Sequence, residues 1–380
     1  MDSFHTIIQK RYLIKSILPE KCQINIFYRS FSIYTNTRRL LTFNAVPGAL
    51  ECVEGVRAIS MFWVIVGHTY STTMLTSVYN MSDVSKWLTS FSSTWINSAP
   101  LAVDSFLTLS GIFCVYSVIG KISRKNFIKS LHFFYLHRLL RLFPLLAAVI
   151  LLQTSVFLWI SDGPMWGNVA QMVAICRSRW WSALLHVQNY VKPISVCLYH
   201  SWYLSVDIQL YIISPVVLIF LFGSKRIAFC ALIAAILLSL VISSTLSFLY
   251  NYSAALINLR RLNEMNDYFV NYYINTLTRA PPFFIGMLYG YILYVFKGKK
   301  IQISKLLVST LWILTLFLMG ISIFSIYPVI QVDYDNQVLD NFLNAYMRCL
   351  WAIALGWLIV ACVNGYGVIS IWPWRCHRAN

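Results

Sequence analysis

Eight long apolar runs constrain this chain more than any other feature of its sequence. Their approximate bounds are 58–78, 101–119, 142–160, 204–222, 227–249, 280–296, 306–326 and 346–363. A helix needs about 20 mostly apolar residues to cross a bilayer, and these runs are close to that length. Only 11% of the 380 residues are charged, whereas soluble domains carry about 25% charged residues. The sequence therefore predicts an all-α, polytopic transmembrane helix bundle with about eight spans.

The distribution of basic residues predicts how the bundle is oriented. With the N-terminus placed in the cytosol, 22 of the 30 Lys and Arg residues fall on the cytosolic side and 8 fall outside. The positive-inside rule expects this asymmetry of a membrane protein. Membrane topology therefore explains the net charge of +17, and we expect no nucleic-acid partner. A plasma-membrane and an endomembrane location fit the sequence equally well.

The chain divides into three parts by composition. Residues 1–50 are predicted to be a cytosolic and interfacial segment, 51–364 the transmembrane domain, and 365–380 a short tail. No apolar core long enough for a cleavable signal peptide occurs in residues 1–30. The stretch 31–50 combines aromatic residues with Arg38 and Arg39, which is typical of a segment at the membrane surface.

The outer loop 161–203 is long and aromatic, and we predict that it packs on the bundle as a cap. Cys176 and Cys197 both lie in this loop, on the side of the membrane where a disulfide can persist. We therefore predict that they are bonded and close the cap. Asn80 and Asn251 begin N-x-[ST] sequons on the same side, so both are candidate glycosylation sites.

The run Glu51–Thr73 carries the ionisable residues that most suggest a function. Arg57 opens its apolar part, and His68 follows eleven residues later, roughly 16 Å along a helix axis and near the bilayer midplane. An ionisable side chain at that depth marks a functional site by default. His68 either forms a hydrogen bond between helices or acts as a general base toward a hydroxyl or amine.

Arg138 and Arg141 end the basic loop 120–141 and are three residues apart, a spacing that places both on one side of a helix. Together with Arg57, they either anchor the cytosolic helix ends or clamp phosphate oxygens, which match the planar guanidinium fork. No nucleotide-binding glycine loop or clustered zinc spacing accompanies them in the sequence.

Asp104 and Asp207 lie near the predicted outer ends of their helices. Each is either solvated or paired with an arginine, or it orients His68 or binds the hydroxyls of an acceptor. Ser110 and Gly111 lie at mid-depth in the second run, where small residues let another helix or a ligand approach closely.

The order and spacing of these residues resemble the signature of the acyltransferase-3 family of integral membrane acyltransferases. That signature is Arg57, ten intervening residues, His68, and then Arg-x-x-Arg in the next cytosolic loop. Longer stretches are similar to the invertebrate, nose-resistant-to-fluoxetine-like branch: FSIYTNTRRLL, MFWVIVGHTY, VDSFLTLSG, FYLHRLLRLFP, WYLSVDIQLYIISP and RAPPFFIGMLYGYIL. The resemblance covers about residues 31–363.

The resemblance implies transfer of an acyl group from an acyl-CoA-type donor, with acetyl-CoA the expected co-substrate. Arg57, Arg138 and Arg141 would bind the donor phosphates from the cytosol. His68 would be the general base. The family implies neither a metal nor a tightly bound cofactor.

The acceptor would be a hydroxyl or amine on a lipid, sugar or small molecule, reached from the lumenal or extracellular side or from the bilayer. Asp104, Ser110 and Asp207 would bind or orient it, and membrane lipids would surround the bundle. Because the family also has a cysteine-rich N-terminal domain and further helices, we expect this chain to be shortened at both ends.

Two alternatives remain open at this point. The first is a lipid or xenobiotic transport protein of the same fold that does not transfer acyl groups. A carrier needs a cavity near the midplane, often built from broken helices, and Ser110-Gly111 and Pro215 are the candidate breaks. The second alternative is an inactive, truncated form.

Overall fold

A computed structural model describes residues 32–42, 50–74, 78–299 and 302–367. Helices dominate this part of the chain, and no strand occurs within it, so the predicted all-α fold is confirmed. The predicted tail 1–30 and most of the predicted tail 365–380 lie outside the described residues. Contacts divide the chain into two compact units, Met1–Leu50 and Glu51–Asn380.

Fifteen α-helices occur in the described part of the chain. The first eight are α1 (Ile33–Leu40), α2 (Glu51–Met74), α3 (Met81–Leu88), α4 (Thr94–Asn97), α5 (Leu101–Tyr116), α6 (Arg124–Lys129), α7 (Leu131–Ser155) and α8 (Trp166–Leu184). The others are α9 (Trp202–Leu221), α10 (Lys225–Tyr250), α11 (Met265–Tyr268), α12 (Ala280–Val295), α13 (Lys305–Phe324), α14 (Ile326–Val329) and α15 (Gln337–Val363). A 3₁₀ turn over Tyr199–Ser201 leads into α9, and a π turn over Phe269–Tyr273 follows α11.

Six continuous helical stretches are long and apolar enough to cross a membrane. They are Phe91–Tyr116, Leu131–Ser155, Tyr199–Leu221, Lys225–Tyr250, Lys305–Val329 and Gln337–Val363. The apolar helix α12 is shorter, and α2 has 24 residues but carries Arg57, His68 and several hydroxyl side chains. Together these eight helices correspond to the eight predicted runs, and they make the chain a polytopic bundle.

The first part of α7 corrects one expectation from the sequence. The loop predicted over 120–141 is helical from Leu131 onward, so Arg138 and Arg141 lie within α7 rather than before it. Pro144 lies inside this helix. A proline is tolerated within a membrane helix because neighbouring groups satisfy the backbone it frees. The buried partner of Arg138, described below, explains why a cation is tolerated there.

The centre of the bundle is the contact between α5 and α12. Most residues of both helices are buried, and glycines bring the two backbones together. A Cβ atom built on Gly286 would lie 2.1 Å from the carbonyl oxygen of Thr108, and one on Gly111 would lie 2.1 Å from that of Phe283. The close approach predicted at Ser110-Gly111 is therefore confirmed, and the approaching element is another helix.

The candidate helix breaks predicted for a carrier are absent from the described residues. The helix α5 runs unbroken through Ser110 and Gly111, and α9 runs unbroken through Pro215. The bundle therefore lacks, at these two positions, the discontinuous helices that transporters use to build midplane sites.

The outer stretch 161–203 packs on the bundle, as predicted. Cys176 in α8 is bonded to Cys197, so the predicted disulfide is confirmed. Both sulfur atoms are buried in a small cluster with Leu146 and Ile150 of α7. A crosslink that closes a loop of this length stabilises a fold by about 3 kcal/mol in the chain-entropy model.

The N-terminal unit is described through α1 alone. The side chain of Ser32 accepts a hydrogen bond from the backbone N–H of Thr35 and caps the helix. Arg38 and Arg39 lie in the last turn, where cations interact favourably with the helix dipole.

Candidate functional site

His68 lies beside a second histidine that the sequence analysis did not single out. The ring centroids of His68 and His200 are 4.1 Å apart. His68 is carried by α2, and His200 lies in the 3₁₀ turn that leads into α9. Neither imidazole forms a hydrogen bond with another described residue, so both rings keep their nitrogens available. The structure therefore does not give His68 the interhelical hydrogen bond considered above.

A cavity opens at His68. Its walls come from α2, from the segment before α5, and from the chain after α10, with Tyr273 and Ile326 completing it. Gly67 makes the close packing of α2 possible, because a Cβ atom there would lie 2.5 Å from the Cβ atom of Ala99. An imidazole that lines a cavity and lacks protein partners is placed to exchange a proton with a ligand.

Arg138 forms a buried ion pair with Asp207, deeper in the bundle. Its guanidinium also donates a hydrogen bond of 2.7 Å to the hydroxyl of Ser110. The same group lies over the ring of Tyr211, 4.7 Å from its centroid. These contacts tie α7 to α5 and α9. Asp207 is therefore paired with an arginine, which is one of the two alternatives considered for it.

Asp104 is bound by arginine as well, and it does not contact His68. Both of its oxygens accept hydrogen bonds of 2.8 Å from Nη1 of Arg279, which is fully buried. Nε of Arg348 lies 4.0 Å from the same carboxylate. Arg279 directly precedes α12 and Arg348 lies within α15.

The other two signature arginines are more accessible than Arg138. Arg57 is half-buried, lies 3.3 Å from Glu54, and covers the ring of Phe113 at 4.8 Å. Arg141 is exposed and forms no ion pair with a described residue. Arg138 and Arg141 share one helix, but Arg138 is paired with Asp207 whereas Arg141 is exposed.

These groups occupy successive levels of the bundle. Phe113, which Arg57 covers, and Val103, which lines the His68 cavity, are ten residues apart on α5, or about 15 Å. Ser110, which accepts a hydrogen bond from Arg138, lies between these two residues on α5. Arg138 therefore lies at a level between Arg57 and His68. The His68 cavity is not lined by any of the three signature arginines.

The two glycosylation candidates differ in accessibility. Asn80 is exposed at the start of α3 and its side chain makes no capping hydrogen bond. Asn251 is exposed too, but its side-chain oxygen accepts a hydrogen bond of 2.7 Å from Asn341. Ser253, the hydroxyl residue of that sequon, is buried. Of the two predicted sites, Asn80 has the geometry that a glycan needs.

Between α8 and α9, His186 is buried and has a positive φ of 55°. Neither of its ring nitrogens has a hydrogen-bond partner among the described residues. Burial lowers the pKa of His186, and the negative charge of Asp207 partly opposes that effect. A neutral histidine is therefore built into the cap close to the Arg138–Asp207 pair.

Comparison with known proteins places this geometry in context. A family model described as an acyltransferase domain matches residues 50–374. "Nose resistant to fluoxetine protein 6" of Caenorhabditis elegans is 28% identical over 375 residues, which cover 92% of this chain and 45% of that protein. "Regulator of hypoxia-inducible factor 1" of the same organism is 26% identical over 341 residues, or 83% of this chain and 64% of that protein.

A bacterial protein is similar over a shorter range. A protein of Staphylococcus aureus (strain COL) named "Putative O-acetyltransferase" is 28% identical over 179 residues, which cover 46% of this chain and 25% of that protein. This chain therefore spans less than two thirds of the length of each of these relatives. No solved structure matches it.

Proposed function

Because this chain belongs to the acyltransferase-3 family, we propose that it is an integral membrane acyltransferase with His68 as its general base. The donor in this proposal is an acyl-CoA, with acetyl-CoA the first choice. The acceptor is a hydroxyl or amine that reaches His68 from the lumenal or extracellular side or from the bilayer. The bacterial relative is named for transfer of an acetyl group to oxygen, which supports a hydroxyl acceptor.

One observation carries the proposal. His68 lines a cavity inside a membrane bundle, and its imidazole forms no hydrogen bond with a described residue. A histidine kept for structure would be expected to satisfy its nitrogens with protein groups, since buried polar groups are usually hydrogen-bonded. An open face toward a cavity is what a general base needs, because it must reach the proton of its substrate.

The levels of the bundle suggest how a donor would be held. Arg57 and Arg141 are the signature cations with accessible guanidinium groups, and they suit the phosphates of an acyl-CoA. Arg57 and His68 are separated by roughly 16 Å along α2, a span that an extended pantetheine arm can cover. Arg138 is neutralised by Asp207, so we assign it to positioning of α5 and α9 rather than to donor binding.

The chemical step then follows from general-base catalysis. Neutral His68 removes the proton from the acceptor hydroxyl or amine as its oxygen or nitrogen attacks the thioester carbon. The tetrahedral intermediate collapses, the carbon–sulfur bond breaks, and the thiolate leaves as CoA. The proton held by His68 passes to that thiolate, so the step needs no other reactant. His200, whose ring lies 4.1 Å from that of His68, is placed to hold the imidazole in position.

The test uses the purified chain in lipid nanodiscs with acetyl-CoA and a panel of hydroxyl and amine acceptors. Release of the CoA thiol and formation of acylated product are measured together. His68→Gln is expected to lower turnover by about 10²- to 10⁴-fold, the usual contribution of a general base. The matched control is His132→Gln, because His132 is an exposed histidine of α7. Unchanged turnover in His68→Gln would remove the base role.

A further inference from the structure

A second cavity lies directly beside the His68 cavity. The two cavities share five lining residues: Asn97, Pro100, Leu256, Tyr273 and Ile326. The second cavity is also lined by Asp104, Arg348 and several hydroxyl and amide side chains, with Leu343 and Met347 on its apolar wall. A small molecule held in this cavity would therefore lie next to His68.

The charges around this second cavity do not balance. Asp104 is the carboxylate of the cluster, and both of its oxygens are occupied by Arg279 at 2.8 Å. Arg348 approaches the same carboxylate only to 4.0 Å. Two guanidinium groups thus share one carboxylate, and one positive charge is left over.

Nearby acidic groups do not supply the missing negative charge. Asp340 accepts a hydrogen bond of 2.7 Å from the backbone N–H of Ala254 and lies 3.8 Å from Arg261. Glu264 pairs with the same arginine at 2.6 Å. These two carboxylates share Arg261 and belong to a separate cluster.

Arg348 is also short of hydrogen-bond partners. The residue is 8% exposed, and its Nη1 atom has no acceptor within the described part of the chain. Its guanidinium lies over Tyr272 and Tyr273, with 5.4 Å and 5.9 Å to the ring centroids. Stacking on these rings fixes the orientation of the guanidinium, and Nη1 is left without an acceptor. A buried cation without a full set of partners is unfavourable unless a ligand completes them.

We infer that the second cavity is a binding site for the carboxylate of a small molecule, with Arg348 as its anchor. A single negative charge matches the single excess positive charge, which favours a carboxylate over a doubly charged phosphate monoester. A guanidinium binds carboxylate oxygens with strong, charge-assisted hydrogen bonds. The apolar wall at Leu343 and Met347 would take the carbon skeleton.

The same inference narrows the chemical class of the acceptor in the proposed reaction. If the proposed acyl transfer is correct, the acceptor is a hydroxy- or amino-carboxylate. Its carboxylate would bind Arg348, and its hydroxyl or amine would reach past Tyr273 toward His68. This second step rests on the proposed function, whereas binding of the carboxylate does not.

The experiment measures binding to the full chain in nanodiscs of zwitterionic lipid. The probes are para-hydroxybenzoate and para-hydroxybenzamide, which have nearly the same shape but differ in charge. We expect the carboxylate to bind about tenfold more tightly or better, because hydrogen bonds to charged groups are the strong ones. Arg348→Gln is expected to remove this preference, and Arg348→Lys to retain part of it. Arg177→Gln is the matched control, because Arg177 is an exposed arginine outside both cavities.

The two probes keep the test decisive even if Arg348→Gln does not fold, because the wild-type preference alone can contradict the inference. Equal binding of the acid and the amide would overturn it, as would an unchanged preference in Arg348→Gln. Binding of dimethyl phosphate without binding of para-hydroxybenzoate would overturn the carboxylate assignment and indicate a lipid phosphodiester. Binding of para-hydroxybenzoate is measured without acetyl-CoA, so failure of acyl transfer remains distinguishable from failure of this site.

Discussion

Asp104 and Asp207 are both buried aspartates bound by arginine, yet their surroundings differ in charge. Asp207 faces one guanidinium, that of Arg138, so its cluster is balanced. Asp104 faces two, those of Arg279 and Arg348, so its cluster carries one positive charge in excess. A balanced pair is sufficient to tie helices together. An excess buried charge is costly on its own, which makes the Asp104 cluster the one expected to meet a ligand.

The largest expected effect comes from removing each carboxylate in turn. Asp104→Asn leaves two buried guanidiniums without a counter-charge, whereas Asp207→Asn leaves one. Breaking a buried ion pair costs about 3–5 kcal/mol, and we expect Asp104→Asn to lose more stability than Asp207→Asn. Thermal unfolding of the purified variants in one detergent measures the difference.

The exposed Asp162 provides the control variant Asp162→Asn, which should leave the unfolding temperature unchanged. Adding Arg348→Gln to Asp104→Asn removes one of the two stranded charges and should recover part of the lost stability. An Asp207→Asn variant that is less stable than Asp104→Asn would contradict the charge comparison.

The next effect concerns the helix that carries both clusters. Asp104 and Ser110 lie on α5, and Gly286 of α12 touches α5 between them at Thr108. Gly286→Ala places a methyl group 2.1 Å from that carbonyl oxygen, so the helices must separate. We expect a loss of about 1–3 kcal/mol, as for other overpacked interiors.

Gly320→Ala is the matched control for this variant, because no atom lies within 4 Å of a Cβ built on that residue in α13. The measurement is again thermal unfolding of both variants. Equal unfolding temperatures for the two variants would show that α5 and α12 pack less closely than described here.

A smaller, pH-dependent effect is expected at His186, near Asp207. Burial lowers the pKa of His186 in the folded state, so the unfolded chain binds a proton more readily. Stability contributed by neutral His186 is therefore present above the unfolded pKa and is lost as the pH falls toward the folded pKa. We expect the protein to become less stable as the pH is lowered below about 6.5.

His186→Asn should reduce this acid sensitivity, because asparagine does not titrate and tolerates the positive φ of 55° at this position. Unfolding temperatures of both proteins, measured across this pH range, provide the test. An unchanged pH profile in His186→Asn would assign the acid sensitivity to another group.

The last comparison separates the two signature arginines of α7, of which Arg141 is expected to have the smallest effect on stability. Arg138→Gln leaves Asp207 unpaired and should destabilise the protein clearly. Arg141→Gln changes an exposed side chain and should alter stability by less than about 0.5 kcal/mol. Arg141→Gln should nevertheless weaken binding of acetyl-CoA, measured by calorimetry. If it left acetyl-CoA affinity intact, Arg141 would have no place in the donor site.

The long apolar helices could be predicted, because they depend on local composition. Eight apolar runs correspond to eight helices, and Arg57 and His68 lie on one helix, as their spacing indicates. The start of α7 was placed eleven residues too late, at 142 rather than Leu131. A cation such as Arg138 is assigned to a loop when only its neighbours in sequence are considered. Its partner Asp207, which makes it tolerable inside a helix, is 69 residues away in sequence.

The charged clusters could not be predicted for the same reason. Arg279 and Asp104 are 175 residues apart in sequence, and only the fold brings them together. His200 escaped attention because it begins a helix whose apolar character dominates the local sequence. Its position, seven residues before Asp207, points to it only once α2 is known to pack beside this turn.

The central claim is that the acyl donor meets His68, and a structure of the chain with a non-hydrolysable acetyl-CoA analogue tests it most directly. We predict that the carbonyl carbon of the analogue lies in the His68 cavity, with space for the attacking atom between it and the imidazole. Its phosphates should lie toward Arg57 and Arg141. An analogue bound away from this cavity, or one that leaves His68 in contact with packed side chains only, would contradict the account.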